Sequence, residues 1–276
     1  MTSPHWDENR AEEYRRFRFN FPEKTLAGKT VVVAGGTGGL GPATVSLLAS
    51  EGAQLVVGYR ANRTRAEELQ TAIEEKFKRK VLLVPGDLAR LETKRNYAAA
   101  AVEELRTQLA GVVIFAGDPA RVTFENLDRD ALMTSLESNY VGPVLLAREL
   151  GETMERSPQG GSIVFLGTMQ ALSAFPSSLN YAGPKAALVH AAKILAQQWR
   201  HVRVNVVAPG ATLAGMAATS IQSGKYDTQI ESGAIKRFGY PEDVARAVRF
   251  FLEPDNYITG QVVVVDGGLS LRRHSG

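Results

Sequence analysis

From residue 27 onward the chain alternates between two hydrophobic patterns that repeat to its end. Short apolar, β-branched runs recur at Thr30–Ala34, Gln54–Tyr59, Val81–Pro85, Val112–Ala116, Ser162–Leu166, Arg203–Val207 and Val262–Val265. Each is too short for a helix. Between them, apolar residues return at helical spacing over Arg65–Phe77, Thr93–Leu109, Asp130–Met154, Tyr181–Trp199 and Pro241–Leu252. Continuous apolar runs joined by helical crossovers predict parallel strands buried on both faces. Right-handed crossovers then cover both sides with helices, giving an α/β, doubly wound parallel sheet of about seven strands. No internal repeat or low-complexity linker interrupts residues 27–276, so a single domain is expected there. Residues 1–26 are polar, dotted with aromatics and aperiodic, and read as an N-terminal extension.

Composition narrows the chemistry. The chain has no cysteine, which excludes disulfides, thiolate metal sites and a cysteine nucleophile. His5, His190, His201 and His274 are scattered, with no His-x-x-x-His pair, so no metal site is expected. The net charge of +3 is mild, and part of it sits in Arg15-Arg16-Phe17-Arg18 and Arg272-Arg273-His274 near the ends. Terminal charge runs of this kind are solvated, and no nucleic-acid-binding motif accompanies them. The N-terminal residues carry Asp7, Glu8, Glu12 and Glu13 and lack the apolar run of a signal peptide. No stretch approaches the roughly 18 apolar residues of a membrane span. A cytoplasmic protein with neither nucleic acid nor membrane as partner is expected.

The first apolar run leads straight into Ala34-Gly35-Gly36-Thr37-Gly38-Gly39-Leu40-Gly41-Pro42, followed by a helical pattern. Glycines at 35, 39 and 41 permit a tight turn, close approach of backbone to a pyrophosphate, and tight packing of helix on strand. The helix N-terminus adds N–H donors and the positive end of its dipole. A glycine run alone is a weak signal; placed between a strand and a helix it indicates a dinucleotide-binding, Rossmann-type loop.

A second constellation is Tyr181-Ala182-Gly183-Pro184-Lys185, at the start of an alanine-rich helix where Pro184 is expected in the first turn. Residues four apart share a helical face, so phenol and ammonium can address one site. An isolated tyrosine, with a pKa of about 10, is a poor acid or base at neutral pH. A neighbouring lysine cation stabilises the phenolate and lowers that pKa, as proton transfer at a carbonyl oxygen requires.

Together these elements resemble the short-chain dehydrogenase/reductase family, whose loop is Gly-x-x-x-Gly-x-Gly and whose catalytic element is Tyr-x-x-x-Lys. The resemblance covers roughly residues 27–270. It implies that Asp87 and Leu88, in Leu83-Val84-Pro85-Gly86-Asp87-Leu88, meet the adenine. It implies that Ala116-Gly117 also bind the cofactor, although Ile114 and Phe115 stand where the family has two asparagines. Thr168, about thirteen residues before Tyr181, takes the place of the family serine, with Ser173, Ser177 and Ser178 nearby. Asn139 corresponds to the family asparagine that holds a proton-relay water for the lysine. Pro209 and Gly210 end the sixth strand, and the backbone near Thr212 is expected at the nicotinamide. Ala214 stands where a threonine is common. Leu213–Ser232, rich in small residues, suits a mobile lid.

Cofactor choice follows from the second strand's end, Val56-Val57-Gly58-Tyr59-Arg60-Ala61-Asn62-Arg63. An acid at this point accepts the ribose hydroxyls of NAD, and here Tyr59 occupies its place. Arg60 matches an arginine of NADP-using relatives, with Thr37, Asn62 and Arg63 beside it, so NADP(H) is the expected cofactor. The expected activity is an NADP(H)-dependent oxidoreductase acting on a small-molecule carbonyl or the corresponding alcohol. Rival readings are a cofactor-binding regulator or scaffold without turnover, and a same-fold isomerase or dehydratase. Ala186, Ala187, Ala191, Ala192 and Ala196 on the Tyr181 helix suit self-association as a homodimer or homotetramer, with His190 in the interface or the core.

Overall fold

The computed structural model describes residues 23–115, 117–118, 122–175 and 178–272, together with Glu12, Arg15 and Arg16. Seven strands form one parallel sheet: β1 (Lys29–Ala34), β2 (Gln54–Tyr59), β3 (Val81–Pro85), β4 (Gln108–Ile114), β5 (Gly161–Leu166), β6 (Val202–Pro209) and β7 (Val262–Val265). Their order is β3-β2-β1-β4-β5-β6-β7. The chain winds outward from β1 in one direction, then returns and winds outward from β4 in the other. The crevice at the carboxyl ends of β1 and β4 is the place where such sheets bind ligands.

The strand periodicity of two decides which core each residue enters. In β1, Val31 and Val33 pack on one face with Val45 and Leu48 of α1 (Gly41–Ser50) and with Phe251 of α9 (Pro241–Leu252). Val32 and Ala34 face the opposite core, with Leu146 and Leu150 of α5 (Gly142–Glu155) and Leu188 of α6 (Leu179–Gln198). Both layers are fully buried, which explains why these strands read as unbroken apolar runs. Leu26, the last residue of the expected extension, is 1% exposed and packs into the first core. The rest of the extension lies almost wholly outside the described residues.

Two helical expectations need correction. The run Thr93–Leu109 is not one helix: α3 (Leu91–Ala99) passes into a π-helical turn at Ala100–Glu104 and stops. Arg106 has a φ of +52°, which no helix continues through, and Leu109 already lies in β4 paired with Thr30. Leu105, Leu109 and Val112 are spaced as a helix face would be, and only the pairing with β1 settles the ambiguity. Pro184, second, lies inside α6 rather than in its first turn, because the helix starts at Leu179. The long pattern Asp130–Met154 is continuous in outline: α4 (Arg129–Leu136), capped by the Asp128 carboxylate, joins α5 through a π-helical turn at Glu137–Val141.

β6 is locked to the segment before β7 by Asn205. Its Nδ2 donates to the Ile258 carbonyl at 2.9 Å and its Oδ1 accepts from Gln261 N at 3.0 Å. This ties the segment that enters β7 to the early part of β6 and sets the register of the edge strand. The region expected as a lid contains two short helices, α7 (Met216–Gln222) and α8 (Asp227–Glu231). It has a small apolar core of its own, where Tyr226 packs with Met169, Ala211, Ile235 and Leu269, the last from α10 (Leu269–Arg272). Among the described residues, no helix is long and apolar enough to cross a membrane.

Candidate active site

The glycine loop forms the floor of the crevice. Gly35 turns out of β1 with a φ of +76°, a conformation open to glycine and strained for other residues. A Cβ on Gly41 would sit 2.3 Å from the Gly36 carbonyl, so only glycine lets α1 begin this close to the strand. Leu40 occupies the N-cap position and offers no side-chain oxygen. The first-turn N–H groups of α1 therefore have no capping side chain and are suited to an anion. Facing the loop, Ala214 and Gly215 lie directly on Gly39: a Cβ there would come within 2.3 Å of Gly215 N.

From the loop the crevice opens in two directions, as adjoining clefts of about 350 Å³ and 270 Å³ that share Gly35, Gly38, Phe115 and Gly117. The larger is lined by Thr37, Tyr59, Arg60, Asn62, Asp87 and Leu88, all expected from sequence, and also by Arg65, Tyr97 and Ser138. Arg60 is largely exposed, with its Nη1 3.6 Å from Asp118 Oδ2. Arg63 turns away from the cleft, its Nε donating to Glu67 at 2.7 Å. Arg65, one turn position further into α2 (Arg63–Phe77), takes its place on the wall. The reason is local: Asn62 caps α2 by accepting from Arg65 N at 2.9 Å, which fixes the direction of each side chain in the first turn. Asp87 Oδ1 accepts from Ala89 N at 3.0 Å, shaping the turn that it also contributes to the cleft. The buried Tyr97 phenol closes the back wall where Gly58 leaves room for it, and burial raises its pKa.

The smaller cleft holds the expected catalytic groups. Tyr181 is 5% exposed and lines it, as does Thr168 at the end of β5. Lys185, on the same face of α6, is buried, and its ammonium donates to the Leu166 carbonyl at 2.8 Å. Burial lowers its pKa from 10.5 to about 8. Thr168 is the N-cap of a 3-10 turn at Met169–Ala171, and its Oγ1 accepts from Gln170 N at 3.3 Å. Asn139 sits in the π-helical turn, fully buried. Its Nδ2 donates to the Asp118 carbonyl at 2.7 Å and to Ser135 Oγ at 3.0 Å, while its Oδ1 has no hydrogen-bond partner among the described residues. A Cβ on Gly117 would stand 2.6 Å from that Oδ1 and 3.4 Å from Lys185 Nζ, so Gly117 keeps open the space between amide and ammonium. A buried acceptor beside an ammonium, with room between, is where a bridging water fits.

Ala116 lies outside the described residues, as does Ser177. Phe115 lines both clefts, and Ile114 is buried in the core, so apolar packing takes over where the family asparagines would stand. Pro209, Gly210 and Thr212 form the far wall with Ala214. Thr212 bridges to Gly239, and its Oγ1 donates to the Gly210 carbonyl at 3.2 Å. Sequence reasoning missed Arg65, Met169 and Gln170. Arg65 was legible as a third basic residue at the same strand end, and Gln170 as the residue two beyond Thr168. Among the described residues, no cluster of three or more His, Asp or Glu side chains stands ready for a metal.

Residues 34–270 match the family model described as enoyl-(acyl carrier protein) reductase. The chain is 31% identical over 259 residues to dehydrogenase/reductase SDR family member 4 of Homo sapiens, covering 90% of this chain and 89% of that protein. It is 26% identical over 264 residues to the chloroplastic NADPH-dependent aldehyde reductase 2 of Arabidopsis thaliana, covering 91% of this chain and 97% of that protein. Among solved structures, a short chain dehydrogenase/reductase family protein matches with a TM-score of 0.76 at 29% identity, over 88% of this chain and 98% of that one.

Proposed function

The chain belongs to the short-chain dehydrogenase/reductase family, and from that premise we propose that it is an NADP(H)-dependent reductase of small-molecule carbonyls, or the reverse alcohol dehydrogenase. The observation that carries the reading is the meeting of Tyr181 and Thr168 in a cleft continuous with the glycine loop, with the Lys185 ammonium buried behind it on the Leu166 carbonyl. The loop, the uncapped start of α1 and the basic rim fit a dinucleotide. Bound NADPH supplies the hydride. Tyr181 gives a proton to the carbonyl oxygen, and Thr168 Oγ1 hydrogen-bonds that oxygen and fixes its direction. Lys185 lowers the phenol pKa by its charge. Asn139 holds the water that returns a proton toward Lys185, using the acceptor oxygen that no protein group engages.

Preference for NADPH over NADH rests on two features of the larger cleft. Tyr59 stands where an acid would repel a 2′-phosphate, and Arg60 and Arg65 line the same wall. The Arabidopsis relative is named for its dependence on NADPH, which supports this assignment. We assign the alanine-bearing α6 to self-association.

The test is NADPH oxidation against a panel of ketones and aldehydes, with wild type and Tyr181→Phe compared at both cofactors. Wild type should consume NADPH faster than NADH, and Tyr181→Phe should lose turnover while its NADPH affinity stays within about twofold, because the phosphate loop is untouched. Turnover equal to wild type in the Phe variant would remove Tyr181 from the chemistry.

A further inference from the structure

Beyond the groups that act on the carbonyl, the smaller cleft is lined by polar side chains that the mechanism does not use, Thr212, Ser220 and Gln170 among them. Gln170 lies in the 3-10 turn immediately after Thr168, is 6% exposed, and lines the cleft. Its Oε1 is buried without a hydrogen-bond partner among the described residues. The same residue's backbone N–H donates to Thr168 Oγ1, so the turn that orients the threonine hydroxyl also fixes where the carboxamide stands. The neighbouring wall is apolar, with Leu166, Met169, Phe115 and Tyr226.

A buried carboxamide left unpaired is destabilising, and an apolar side chain of the same size would avoid that cost. Its presence at the cleft wall points to a ligand that completes it. None of the described residues lining this cleft is Asp, Glu, Lys or Arg, so no side chain of the lining offers a charge to pair with an ionised group beside Gln170. A carboxamide presents a donor and an acceptor, and the orphan oxygen needs a donor. A hydroxyl supplies that donor and accepts from the amide nitrogen as well, whichever way the amide is turned.

We propose that Gln170 is a specificity-determining residue that binds a hydroxyl on the carbon next to the reacting carbonyl, making neutral α-hydroxy ketones and aldehydes the substrate class. The adjacency is part of the proposal: Thr168, assigned to the carbonyl oxygen, and Gln170 belong to one capped 3-10 turn. The inference rests on the carbonyl-reductase reading above.

The experiment measures kcat and KM with NADPH for matched pairs, hydroxyacetone against acetone and acetoin against butanone. It compares wild type with Gln170→Met and Gln170→Leu, two apolar replacements of similar volume, so that one misfolded variant does not decide the result. Wild type should favour the hydroxylated member by on the order of ten- to a hundredfold in kcat/KM, as expected for a buried polar group left unpaired by the plain ketone. The Met variant should bring the ratio near one, with the loss carried by KM for the hydroxy ketone. An active enzyme whose ratio is the same in wild type and variants, or that shows no preference, overturns the assignment of Gln170 alone. A wild type that oxidises NADPH with neither member of either pair overturns the carbonyl-reductase reading and this inference together.

Discussion

Thr168 carries a methyl group that a serine lacks, and the structure shows how the site accommodates it. The side chain caps the turn at Met169–Ala171, so its χ1 is held by the bond from Gln170 N rather than left to choose among rotamers. Thr168→Ser should therefore retain turnover within a few fold. Thr168→Val keeps the shape but removes both the cap and the oxyanion hydrogen bond, and kcat should fall on the order of a hundredfold or more. Steady-state kinetics on the two variants decide between a hydroxyl at work and a threonine that only ends a strand. Lys185 makes a separate prediction about stability. Its folded pKa of about 8 lies below the unfolded 10.5. Between these values the unfolded chain holds the proton and the folded one has released it, so stability from this group rises with pH across that window. Below pH 8 the full cost of burying the ammonium is present, on the order of 3 kcal/mol. Lys185→Met should then be more stable than wild type at pH 7 by an amount that shrinks toward pH 10, as read by urea denaturation of the cofactor-free protein. A constant difference at both pH values would show that burial does not depress this lysine.

At the scale of elements, the close start of α1 is the feature most sensitive to a single atom. Gly41→Ala puts a methyl group against the Gly36 carbonyl, and backbone must move to admit it. Overpacking of this kind costs about 1–3 kcal/mol, and the displaced helix would also lose its aim at the phosphates. Thermal denaturation should show the first effect, and a rise in the NADPH Kd of at least about tenfold the second; a variant with wild-type Kd would mean that α1 does not bind phosphate. This glycine was readable from spacing alone, as were β2, β3 and β7, whose apolar runs are bounded by polar or glycine-rich segments. What spacing did not resolve had physical causes. The helix over Thr93–Leu109 and the strand that replaces its end satisfy the same apolar spacing, and only long-range pairing with β1 separates them. Pro184 was placed a turn too early because nothing in Leu179-Asn180 marks a helix start. Arg63 and Arg65 are equivalent as charges; the Asn62 cap and the pairing of Arg63 with Glu67 determine which one reaches the cleft.

For the whole molecule, the described surface of α6 bears on self-association. The alanines do not act as one face: Ala191 and Ala192 pack inward at 7% and 1% exposure, whereas Ala186 is exposed. His190 is exposed too, which removes it from the core. Leu179, Gly183, Ala186, His190 and Ile194 follow one another at steps of three or four and form a strip on the side away from the sheet. Leu179 and Ile194 are 57% and 47% exposed, and a Cβ on Gly183 would meet nothing within 4 Å. Small residues at the centre of such a strip, with larger apolar ones at its ends, suit the close approach of a second helix. The commonest symmetric arrangement is a two-fold contact in which the same strip meets itself. A residue near that axis faces its own copy, so one substitution introduces two like charges at once. Ala186→Glu should therefore dissociate the assembly while leaving the isolated chain folded, since the position is open to solvent in it. Light scattering at micromolar concentration should give a multiple of the chain mass for wild type and a lower multiple for the variant, with circular dichroism unchanged. A monomeric wild type would refute self-association, and an oligomer indifferent to Ala186→Glu would place its interface on another face.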